Sequence, residues 1–223
     1  MKMWGGNMAI CLIKASLDLG AQFVLTPERY NPRRRMEVSD DDGILLSELI
    51  VLSNDTISPK QAANKDCIQI NTSDAMEGCL RISLQKELLK SNKKILSKGD
   101  VIISRLRPYL RQVAYVDIDT ERAIFCASTE FYVLKSINED SIAYLVPFLL
   151  SDVAQTVFTN AVEGSQHPRF KEEDLLNLVV PRALYESRKE ISMKVETSIR
   201  SFRHYEEGMS EEIKNINSAL KVV

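Results

Sequence analysis

The sequence predicts a globular part in which strands and helices are mixed, running into one long C-terminal helix. Three observations carry that reading. Short runs rich in β-branched and aromatic residues, separated by turn residues, fill positions 66–136. Apolar residues at helical intervals take over from 140. From Tyr185 onward there is no proline and a single glycine, Gly208, while an apolar stripe recurs every three or four positions.

The elements follow in order. "TPERYNPRRR", 26–35, is a basic loop by its two prolines. "GILLSELIVLSND", 43–55, sets Ile44, Leu45, Leu49 and Leu52 at helical spacings and predicts a short helix. "DCIQINTSD", 66–74, predicts a strand entering a turn, and "EGCLRIS", 77–83, a second short strand. "LQKELLKSNKKIL", 84–96, is helix-like. After the turn "KGD", 98–100, "VIISR" and "QVAYVDI" predict two paired strands, and "AIFCASTEFYVLKS", 123–136, one long strand. Between 140 and 162 the spacing is helical; Pro147 breaks it early, so the helix is expected mainly over 147–161. "EGSQHPRF", 163–170, is a loop. "KEEDLLNLVVPRA" opens with acidic residues suited to a helix N-terminus and ends in a buried strand stopped by Pro181. Then Val195, Ile199, Phe202, Glu206, Met209, Ile213, Ile216 and Leu220 step by four and three, a heptad stripe with one polar interruption. A helix over about 185–222 spans roughly 55 Å at 1.5 Å per residue. Such length favours a coiled-coil seam with another chain over an amphipathic helix folded on its own domain.

Composition narrows the function. The chain has 223 residues, 44% hydrophobic and 27% charged, with no apolar run near the roughly 18 residues of a membrane span. "MKMWGGNMAICLIKASLDLG" is a poor signal peptide, so the cytoplasm is expected. Cys11, Cys67, Cys79 and Cys126 form no C-x-x-C pair and are expected to be buried free thiols. Net charge is −2, yet residues 81–111 hold nine basic side chains against two acidic ones, a local +7. Segregation of this kind suits an anionic partner such as DNA; a solvated lysine face is the plainer explanation. No enzyme constellation assembles. His167 and His204 are the sole histidines, and His204 falls on the long helix, away from any pocket. Phosphate-cradling glycine loops, zinc spacings and nucleophile elbows are missing from the sequence. Asp117, Asp119 and Glu121 read as an exposed acidic turn. A binding module is expected, not an enzyme, with no metal and no cofactor of its own.

Three stretches together resemble one family, the specificity subunits of type I restriction–modification systems. Gly99-Asp100-Val101-Ile102-Ile103-Ser104-Arg105 is similar to the family's glycine-aspartate, apolar, serine strand, and it continues through "RLRPYLRQVAYV" into "CASTEFYVLK". "EGSQHPRFKEEDLLNLVVPRA", 163–183, resembles the family's glycine-led loop, basic residue, acidic helix start and apolar strand ending in proline. The heptad helix that follows resembles the family's helical spacer, and "LTPERYNP", 25–32, its lead-in. "PRALYESRKEI" departs from the family's proline-rich, Glu-Gln junction. The resemblance covers about residues 17–222.

It implies an α+β target recognition domain over 17–183, after an N-terminal extension over 1–16. It implies that 184–223 form an antiparallel coiled coil. It further implies reading of one half of a bipartite site in double-stranded DNA. A partner DNA methyltransferase subunit would carry S-adenosylmethionine, and a restriction subunit can join. Family members hold two recognition domains and two spacers. This chain has room for one of each, so two copies would form a homodimer on an interrupted palindrome, with Val195, Ile199, Phe202, Met209, Ile213, Ile216 and Leu220 as the seam. For DNA, Arg105, Arg107 and Arg111 are presented beside Pro108 and the planar Tyr109. Gln166, His167 and Arg169 suit base edges, while Arg33, Arg34, Arg35, Lys93 and Lys94 suit phosphates. Two other classes stand beside this: a protein–protein adaptor of a methyltransferase that keeps the fold without reading DNA, and a nuclease.

Overall fold

The computed structural model describes residues 43–82, 88–118, 123–162 and 166–220. The extension, "LTPERYNP" and the arginines Arg33, Arg34 and Arg35 lie outside these residues.

The centre is an antiparallel sheet. The "VIIS" and "VAYV" runs become β8 (Val101–Ser104) and β9 (Val113–Tyr115), paired as expected. On the other side of β8 lies β11 (Phe131–Ser136), and beyond it β2 (Ile50–Ser53). Successive side chains on a strand face opposite ways, and here both faces are covered. Val101, Ile103, Val113, Tyr132 and Leu134 join a helix-side core with Phe148, Leu149, Phe158, Phe170 and Ile199. Ile102, Ala114, Phe131 and Val133 join a second core with Ile68, Ile70, Phe125 and Ala127. Burial on two faces explains why these strands are nearly continuous apolar runs.

The second core is closed by a mixed sheet in the order β3 (Thr56–Ile57), β7 (Lys93–Ile95), β10 (Ile124–Ala127), β4 (Cys67–Ile70), with β10 and β4 parallel. Its outer face carries Ile57, Ala62, Cys67 and Cys126 around α1 (Pro59–Ala62). Cys67, Cys79 and Cys126 are free thiols, and burial pushes the Cys126 thiol up to about 11. A hairpin of β5 (Ala75–Met76) and β6 (Cys79–Leu80) flanks β9, and β1 (Gly43–Leu45) pairs with β12 (Val179–Pro181). The helix layer is α2 (Leu145–Leu150), α3 (Asp152–Ala161), α4 (Glu172–Leu176), α5 (Arg182–Glu186) and α6 (Arg188–Ala219).

Several expectations are corrected. Residues 43–55 are not a helix: two strands flank a single 3-10 turn, because Ile50–Ser53 completes the edge of the central sheet against β11. Lys93–Ile95 is a strand pairing on both sides, not part of a helix. The long strand over 123–136 is two strands in two sheets; the Ser128–Glu130 turn carries the chain across the shared core. The helix over 147–161 starts earlier and breaks later. Pro147 sits harmlessly in the first turn of α2, and the break is at Ser151, whose extended backbone and hydroxyl cap α3.

The C-terminal helix divides in two. Along its first half Ile199 is buried in the chain's own core and Val195 packs against it, so this part of the stripe is closed to another chain. The Ser192 hydroxyl accepts from the Tyr144 amide (3.1 Å) and donates to the Ser141 carbonyl (3.2 Å). Arg203 donates twice to Asp117 (2.7 and 2.8 Å) and once to Glu206 (2.9 Å). Asp117 is therefore a mostly buried docking partner, not part of an exposed turn. Beyond Glu206 the stripe is bare: Met209, Ile213, Ile216 and Leu220 are 47, 53, 55 and 69% exposed.

Candidate nucleic-acid interface

The two stretches that carry the resemblance, some sixty residues apart in sequence, meet in space. Leu106 and Arg169 form a β-bridge. The Arg107 amide donates to the Pro168 carbonyl (2.8 Å), and the Phe170 amide to the Arg105 carbonyl (3.2 Å). Phe170 anchors the junction beneath: its ring stacks on Phe158 at 4.4 Å, and the Tyr132 hydroxyl donates to its carbonyl (3.3 Å). Arg105, Arg107, Gln166, His167 and Arg169 are thus presented together at one corner of the domain.

The backbone there is unusual. Arg107 and Arg111 both take the left-handed conformation, with φ 50°, on either side of a 3-10 turn at Pro108–Leu110. Non-glycine residues enter that region at a cost of about 1 kcal/mol or more, and such positions cluster at functional sites. The turn leaves Tyr109 and Leu110 58 and 50% exposed.

The arginines are not equivalent. Arg105 donates through Nε to Glu130 (3.1 Å). Arg169 donates to the same carboxylate through Nε (2.9 Å) and Nη2 (2.7 Å), and through Nη1 to the His167 carbonyl (3.1 Å). Hydrogen bonds from Arg169 first, then from Arg105, hold the Glu130 carboxyl below its ordinary value. Arg111 lies apart from this corner, bonded to Asp152 and to the Leu150 carbonyl (3.2 Å). Arg107 makes no ion pair with a described residue, and the exposed Gln166 and His167 side chains make no hydrogen bond to one.

The two lysines separate. Lys94 lies 5.8 Å from the centre of the Tyr132 ring; burial lowers its pKa, and the charge of Arg105 adds to the shift. Lys93, next along the strand, acts instead on the Cys126 thiol. Sequence reasoning missed Glu130, a lone charge in the otherwise uncharged run 123–134, because its arginine partners come from distant segments. It also misplaced His204, which with Lys98, Tyr115 and Arg200 lines a cleft beside α6. Among the described residues no group of three or more potential metal ligands occurs, and no helix is long and apolar enough to cross a membrane.

No protein-family profile matches the chain, and no curated protein matches it. Solved structures do. One is the HsdS subunit from Thermoanaerobacter tengcongensis, 22% identical, with a TM-score of 0.53 over 77% of this chain and 45% of that one. Another comes from work on complex assembly and conformational transition of the type I R-M system, 20% identical, with a TM-score of 0.53 over 83% of this chain and 50% of that one. The fold is therefore that of an HsdS-type chain, as the resemblance implied, and this chain spans about half the length of those it matches.

Proposed function

We propose that the chain serves as the target-recognition part of a specificity subunit of a type I restriction–modification system, reading double-stranded DNA. The carrying observation is the corner where residues 105–107 bridge to 168–170, because it gathers from distant segments the residue types that DNA contact requires. Arg107, which makes no ion pair with a described residue, and Lys94, which feels the Glu172 charge without pairing to it, serve phosphates. Gln166, His167 and Arg169 serve base edges, and Tyr109 lies beside them on its exposed turn. The exposed half of α6, through Met209, Ile213, Ile216 and Leu220, pairs antiparallel with a second copy. The domain itself carries no chemistry: a partner DNA methyltransferase subunit, holding S-adenosylmethionine, methylates the site, with a restriction subunit where the system cuts.

One observation favours the adaptor reading. Arg105, Arg169 and Arg111 are all bonded to carboxylates, which weakens the pull on phosphates. Selection from a random duplex library, repeated across a salt series, separates the two. The DNA-reading account expects an enriched sequence and an affinity that falls steeply with salt, log K changing by about 0.9 per phosphate contacted for each decade. An adaptor enriches nothing, and that result would overturn the proposal.

A further inference from the structure

Glu130 sits on the turn where the chain crosses from β10 to β11, and two arginines from distant segments share its carboxylate. A lock between loops does not explain this arrangement. The same loops are already tied by three backbone hydrogen bonds: the Arg105 amide to the Glu130 carbonyl (2.9 Å), the Arg107 amide to Pro168 and the Phe170 amide to Arg105. Both arginine side chains also remain more exposed than the carboxylate, at 38 and 39% against 21%.

The donors that remain decide what the arrangement can do. A guanidinium has five N–H groups in a rigid fork. Arg169 commits three: Nε and one on Nη2 to Glu130, and one on Nη1 to His167. One N–H on each of Nη1 and Nη2 is left, held in a fixed plane. Two such donors match O6 and N7 of guanine in the major groove, the commonest specific arginine contact. Charge points the same way. One carboxylate between two guanidiniums leaves the group with a single net positive charge, which weakens a phosphate contact. It leaves a base contact intact, since that depends on geometry.

We infer that Glu130 is a positioning residue that fixes Arg169 as the reader of a guanine in double-stranded DNA. This rests on the DNA-reading proposal above. The two can fail separately.

The experiment is duplex-library selection with the full chain, its Glu130→Gln, Arg169→Lys and Arg107→Ala variants, followed by binding to duplexes carrying 7-deazaguanine at single positions. The unmodified chain should require guanine at one position of its half-site and lose about tenfold in affinity when the N7 of that guanine is removed. Glu130→Gln and Arg169→Lys should each relax that position about tenfold while average library binding falls by less than about threefold. Arg107→Ala should do the reverse, weakening all sequences alike. A required guanine that survives both variants overturns the inference, as does a motif without guanine or 7-deazaguanine without effect. A fold so dependent on this side chain that neither Glu130→Gln nor Glu130→Ala folds makes Glu130 structural and also overturns it. If the unmodified chain enriches no sequence at all, the DNA-reading proposal falls and takes this inference with it.

Discussion

The two halves of α6 share one heptad pattern and have opposite fates. Up to about Phe202 the stripe lies on the domain: Ile199 is buried in the helix-side core, Ser192 is hydrogen-bonded to the loop before α2, and Arg203 closes the contact on Asp117. Beyond Glu206 the same three-four stepping faces water. Periodicity reports that a face will be covered but is silent on what covers it. The polar positions tell the halves apart. Ser192 falls on the stripe itself and Glu196 and Arg203 flank it, and here each bonds the helix to its own domain. The bare half offers about 22 Å of seam, short for a coiled coil.

The two halves should differ most in their response to a buried charge at Ile199. Ile199→Asp puts a charge into the core and should cost about 4 kcal/mol or more, read as a large fall in the urea midpoint. The same change at Ile216 should cost less than about 0.5 kcal/mol. Arg203→Ala is intermediate: it strands the mostly buried Asp117 and should cost about 2 kcal/mol, with Asp117→Asn in the same background recovering part of it.

A pH series probes the domain side. Asp100, whose carboxyl accepts from the Ser97 amide (2.8 Å), is pushed up to about 6 by burial. Its proton is therefore held more tightly in the folded chain than in the unfolded one. The stabilising contribution is full below about pH 4 and is lost as pH rises through 6. The chain should lose roughly 1–3 kcal/mol across that window, and Asp100→Asn should flatten the curve in thermal unfolding followed by circular dichroism. The smallest expected effect on the domain comes from Ile213→Asp with Ile216→Asp. The pair should leave the urea midpoint within about 0.5 kcal/mol while turning dimers into monomers by light scattering; an unchanged mass would remove the seam from the account.

Much of the architecture was legible locally. Residues 101–104 and 113–115 announce paired strands, and Ser151 apart, the helix region between 140 and 176 is readable from spacing. What failed was non-local. Ile50–Ser53 has helical spacing but is claimed by the edge of β11, and the continuous apolar run at 123–136 hides a change of sheet at Ser128–Glu130. The site was half legible. Arginines, a histidine and a glutamine beside turn residues mark candidates, but their pairing with Glu130 and Asp152 depends on segments 25 to 41 residues away. No spacing rule reports that. The separation of Lys93 from Lys94, by contrast, follows from strand alternation once 93–95 is known to be a strand.

The architecture of the selected DNA motif tests the whole account most directly, because it depends on the reading corner and the bare half of α6 together. Sequencing duplexes retained by the full chain should return two inverted copies of one half-site separated by a fixed gap. The Ile213→Asp, Ile216→Asp chain should return the half-site alone. A motif with no inverted repeat, or no motif, would contradict it.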